Sequence, residues 1–118
     1  MTLISQSAIR EVSGIEENDK ERIRNFLQGA VYCWCNIQGN NWFSLRDLMG
    51  GDNSNWDGTP LFALYQKQEN AGLSDPAAIE QAGKEGGWLL KRVISDDRRS
   101  FDTRIAELIR QYQWIPSV

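Results

Sequence analysis

Apolar positions recur at steps of three and four between residues 23 and 34: Ile23, Phe26, Leu27, Ala30, Val31 and Trp34. Such spacing lays one apolar stripe along a helix, and it predicts a helix from about Asp19 to Ile37. Asn18 suits the N-cap, with Glu21 three residues on as in a capping box. Gly39 suits the C-terminal cap. Ser44 opens a shorter helix, with Asp47 three residues later, Leu45, Leu48 and Met49 facing inward, and Gly50 stopping it. Residues 40–43 connect the two, as a loop or a brief strand.

Thr59-Pro60 and Asp75-Pro76 are start signals of one kind. A capping oxygen precedes a proline whose missing N–H costs nothing at the first helical position. The first signal predicts a helix packed through Leu61, Leu64 and Tyr65, or through Phe62 and Tyr65, and fading near Asn70–Gly72. After the second, Ile79, Ala82, Gly83, Gly86, Leu89, Leu90, Val93 and Ile94 keep helical phase. Gly83, Gly86 and Gly87 oppose that helix, each costing about 0.8–1 kcal/mol against alanine. Either the helix runs through, with Gly83 and Gly86 on its packed face admitting a close neighbour, or it stops at Gly86-Gly87. In the second case residues 88–105 form a β-hairpin around Asp96-Asp97. The uninterrupted helix is preferred, because adjacent Leu89 and Leu90 spoil the alternation a strand needs.

From Ser100 onward, Phe101, Ile105, Leu108, Ile109, Tyr112 and Ile115 again fall at helical steps. They predict a last helix, ended by Pro116. At the other end, Leu3, Ile4, Ala8, Ile9 and Val12 fit a short helix over residues 2–12, closed by Ser13-Gly14. The expected fold is mainly α: a compact single-domain bundle of about five helices over residues 1–118. The alternative is α+β, with a small hairpin near residues 88–105.

Composition adds boundaries to this picture. With 118 residues, 41% apolar and 25% charged, the chain can bury one core and is not of disordered type. The net charge is −3, which argues against a protein that grips phosphates over its whole surface. Residues 1–75 carry six basic and ten acidic side chains, against seven and six in residues 76–118, so basic character lies towards the C-terminus. Cys33 and Cys35 flank one residue, too close for an unstrained mutual disulfide, and reduced thiols in a cytoplasmic protein are expected. Residues 1–12 show neither a basic leader nor an unbroken apolar run, and no stretch is long and apolar enough for a membrane span.

The stretch Asn53-Ser54-Asn55-Trp56-Asp57-Gly58 resembles the front half of a calcium loop. Such a loop needs a bidentate glutamate at its twelfth position, and that position is Leu64. A turn built on Asn and Asp side chains is therefore expected there, without a metal. Cys33 and Cys35 point some 200° apart on a helix, and the chain has no histidine. A one-chain zinc site and every histidine-dependent triad are thereby set aside. Asp96, Asp97 and Asp102 lie near Arg98 and Arg99, but read as a solvated turn before an acid–base pair. No cofactor is expected.

Two functional readings follow. The first is a small non-enzymatic protein-interaction module, self-associating, whose contact residues are Trp42, Trp56 and Trp88 with Arg92, Arg98 and Arg99. Large aromatics and arginines beside loops suit interfaces. For Trp56, anchoring its loop to the core is the preferred reading, ahead of surface contact. The second is a nucleic-acid-binding regulator using the basic 91–104 segment, which holds Lys91, Arg92, Arg98, Arg99 and Arg104 against three aspartates. A long helix, a short helix, a third helix and a hairpin would follow the order of a winged helix-turn-helix. The nine residues from Gly50 to Gly58 exceed the turn of that motif.

Overall fold

The computed structural model describes residues 9–116, in the order α1 (Glu17–Gln38), α2 (Leu45–Leu48), α3 (Phe62–Asn70), α4 (Asp75–Asp96), β1 (Ser100–Ala106) and β2 (Ile109–Ile115). Helix predominates, and the strands form one antiparallel hairpin. The predicted N-terminal helix falls mostly outside the described residues, and the part within them, residues 9–12, is not helical.

Helix α1 buries Ile23, Leu27, Val31 and Cys35, and each of the three aliphatic side chains contributes roughly 1.5–3 kcal/mol on leaving water. The helix begins earlier than its spacing suggests. Glu16 is the N-cap, not Asn18, and Glu17 and Asp19 place negative charge in the first turn, where the helix dipole favours it. Gly39 closes the other end with φ 61°, its N–H donating to the Cys35 carbonyl at 3.1 Å. Helix α2 carries the expected capping box: the Asp47 N–H donates to Ser44 Oγ at 3.3 Å, and the Ser44 N–H donates to Asp47 Oδ2 at 2.9 Å.

The Thr59-Pro60 signal is present but the helix starts after it. Thr59 Oγ1 accepts from the Leu61 N–H at 3.2 Å, three tight i to i+3 bonds follow, and α3 is counted from Phe62. Before it, the Asn-rich stretch makes a side-chain-stabilised turn. Ser54 Oγ accepts from the Trp56 N–H at 3.1 Å and Asn55 Oδ1 from the Asp57 N–H at 3.0 Å.

Helix α4 passes unbroken through its three glycines, with Pro76 in the first turn. Gly86 explains why the helix tolerates one of them. A Cβ there would lie 2.8 Å from Leu45 Cδ2 and 3.5 Å from both Leu61 Cδ2 and Trp56 Cη2. The glycine therefore lets α2 and the loop before α3 pack onto α4. Lys67 of α3 reaches Glu85 of α4 and the Ser13 carbonyl, and Gln68 Nε2 donates to Glu85 Oε1 at 3.0 Å. This strap fixes the α3–α4 pair and the segment entering α1.

The last element overturns the helix predicted after Ser100, and the bundle of about five helices with it; four helices stand among the described residues. The hairpin of the alternative exists, but it occupies Ser100–Ile115 instead of residues 88–105, and Asp96-Asp97 ends α4. Its register pairs Phe101 with Trp114 and Thr103 with Tyr112. These residues are β-branched or aromatic, the types that suit a pleated, half-buried surface. Phe43 adds a single bridge to β2, exchanging both backbone bonds with Tyr112 at 2.9 and 2.8 Å. Its ring lies 6.2 Å from Phe101 and 6.0 Å from Tyr112. This aromatic cluster seats the hairpin on the helices, and such pairs add to their burial energy. Glu107 (φ 52°) and Leu108 (φ 67°) turn the chain between the strands. Left-handed backbone costs a residue with a Cβ roughly 1–2 kcal/mol.

Candidate functional site

Glu80, Gly83, Lys84, Gly87, Trp88 and Lys91 share one face of α4, at successive steps of three and one. These residues form one wall of a groove of about 800 Å³. The hairpin supplies Leu108, Ile109, Arg110 and Tyr112, α2 supplies Leu45 and Arg46, and Arg10 and Asn53 complete the lining. No atom would lie within 4 Å of a Cβ at Gly87, so the helix backbone is open to the groove there.

The electrostatics of the groove differ from those of the chain. Arg10, Arg46, Lys84, Lys91 and Arg110 line it with one carboxylate, Glu80, although the whole protein carries −3. Lys84 sits 3.8 Å from Glu80, an exposed pair worth little in water. Arg10 lies over the Trp88 ring at 5.5 Å, and Arg110 donates to Thr103 Oγ1 at 3.1 Å. Burial pushes the Lys91 pKa down, and the guanidiniums of Arg110 and then Arg10 push it further. The positive charges are thus close enough to oppose one another.

Of the contact residues and the basic 91–104 segment singled out from the sequence, Trp88 and Lys91 line this groove. Trp88 and Arg92 meet at a neighbouring cavity of about 270 Å³, where Arg10, Arg24 and Arg92 are matched by Glu11, Glu17 and Asp96. Arg92 donates to Glu11 at 2.8 Å, leaving that cavity neutral in its charged groups. Trp42 lies under the Arg104 guanidinium at 4.1 Å, and Arg99 pairs with Asp97 at 2.7 Å while standing 5.5 Å from the Tyr32 ring. Arg98 is exposed beyond α4. Trp42, Arg98 and Arg99 line neither cavity.

Trp56 is 4% exposed and belongs to the core, with φ 56° and an Nε1–H that has no partner among the described residues. Its ring lies against Gly86 of α4 and anchors the loop there.

Sequence reasoning missed Arg10, Arg46, Lys84 and Arg110. Lys84, Trp88 and Lys91 carried a legible signal, a step of four and then three along one helix. The other three come from distant parts of the chain, and only the fold assembles them.

Among the described residues no group of three or more Cys, Asp or Glu side chains is placed to hold a metal ion. Cys33 is exposed and Cys35 buried. No described helix is long and apolar enough to cross a membrane. Compared with protein-family models, curated proteins and solved structures, the chain matches none.

Proposed function

We propose that the protein is a non-enzymatic nucleic-acid-binding module that takes a phosphate backbone into the groove between α4 and the hairpin. The observation that carries this reading is the gathering of five cationic side chains and one carboxylate in a chain of net negative charge. Phosphates entering there release their counterions and relieve the mutual repulsion of the cations. Gly87 keeps the wall low, so a backbone can approach closely there. The order of elements supports the reading. Phe43 pairs with β2, α2 and α3 follow it, and the hairpin comes last, as in a winged helix-turn-helix with α4 inserted. The interface thereby moves from the 91–104 segment to residues drawn from four parts of the chain.

Fluorescence anisotropy with labelled duplex and single-stranded oligonucleotides of mixed sequence tests it. Binding is expected at about 50 mM salt, with a log–log salt slope of roughly −3 to −4.5 for four or five neutralised phosphates. Lys84→Ala, Lys91→Ala and Arg110→Ala should each flatten the slope by about one. Absence of binding by the wild type at low salt overturns the proposal.

A second reading, a self-associating protein-interaction module, is favoured by a different observation. Phe26, Ala30, Cys33 and Ile37 form a stripe along α1, three of them exposed, with Ile37 at 78%. Light scattering coupled to size exclusion decides it: a monomer that persists at high concentration ends this reading.

A further inference from the structure

The geometry points to Leu108 as an apolar wedge that parts neighbouring bases of the strand held in the groove. This inference rests on the nucleic-acid reading and adds to it a part of the site that contacts bases instead of phosphates.

Leu108 is 98% exposed, the most exposed of the large hydrophobic side chains among the described residues, and it sits in left-handed backbone at φ 67°. Both features work against the folded protein. A two-residue hairpin loop of this kind is ordinarily Asn-Gly or Asp-Gly, whose residues accept positive φ at little cost. Here the loop is Glu107-Leu108. A leucine in that position gains nothing from the fold, since it buries almost no surface. Strain of this sort persists where it serves a site.

The position of the tip says what that service is. Leu108 lines the basic groove, next in sequence to Ile109 and Arg110 and together with Lys84 and Lys91 of α4. A backbone lying along the cations presents its bases to the rim, where this side chain stands. Leucine is among the residues that enter between base steps and unstack them, as aliphatic wedges do in other nucleic-acid-binding proteins.

The test uses the full chain with duplex and single-stranded oligonucleotides carrying an internal 2-aminopurine, whose emission rises when it is unstacked. The wild type is expected to bind and to raise the emission. Leu108→Gly should weaken binding roughly tenfold, the worth of one apolar contact, and abolish the rise, with the salt slope unchanged. The same variant should unfold at higher temperature, because glycine relaxes the turn. Leu108→Met should keep the emission change. A purely structural leucine would give the opposite pairing, lower stability and unaltered emission. If the wild type binds and Leu108→Gly matches it in affinity and emission, the wedge is wrong and the groove stands. If the wild type binds neither oligonucleotide, or binds polyglutamate in their place, the groove reading fails first and the wedge falls with it.

Discussion

Two cysteines one residue apart meet opposite environments. Cys33 is exposed on α1, and Cys35 packs in the core. Burial raises the Cys35 pKa; Arg99 pulls it back and Asp97 pushes it up again. Because the thiolate is the reactive form, a disulfide reagent should label one thiol promptly. The second should react only as the protein unfolds, and mass mapping should find Cys33 labelled first. Two tyrosines carry a pH signature. Tyr65 donates to Asp75, which with burial pushes its pKa up to about 12, and burial lifts Tyr112 to about 12. The folded state holds both protons after the unfolded chain has released them. Stability is therefore full below about pH 10 and lost as the pH climbs towards 12. Urea midpoints should fall between about pH 10 and pH 12, and Tyr65→Phe should reduce that fall.

At the scale of elements, neighbouring glycines of α4 separate two roles. At Gly87 a Cβ meets nothing, and at Gly86 it meets Leu45 at 2.8 Å. Gly87→Ala should raise stability by about 0.8–1 kcal/mol through helix propensity. Gly86→Ala should lower it, since overpacking costs typically 1–3 kcal/mol and exceeds the propensity gain; equilibrium urea unfolding compares them directly. This contrast also marks how far the elements were legible. The Ser44 capping box, the Gly39 cap and the continuity of α4 could be read from spacing, because each rests on residues close in sequence. The hairpin could not. Its turn, Glu107-Leu108, carries no turn residue, and Phe101, Ile105, Leu108, Tyr112 and Ile115 happen to step as a helix does. What decides for strands is the bridge to Phe43 and the ring contacts around it, and those lie far away along the chain. The groove was illegible for the same reason: Arg10, Arg46 and Arg110 have no local relation.

For the whole molecule, net charge and local charge have opposite signs, and the groove is where the difference is concentrated. Lys91 reports on it. Arg110 and Arg10 contribute to its lowered pKa, so an anion seated between them must raise that pKa. Nuclear magnetic resonance of the lysine side chains, with and without oligonucleotide, should show Lys91 titrating higher in the complex. Binding should weaken as the pH climbs through that raised value. An unchanged Lys91 would mean that the anion sits elsewhere.

The paired backbone bonds between Phe43 and Tyr112 join the connector between α1 and α2 to strand β2. Closing so long a loop is entropically costly and is recovered only once the intervening helices have packed. The sheet should therefore assemble last on refolding and detach first under mild denaturant. The amides of residues 43 and 112 would then exchange with deuterium together, ahead of those in the middle of α1 and α4.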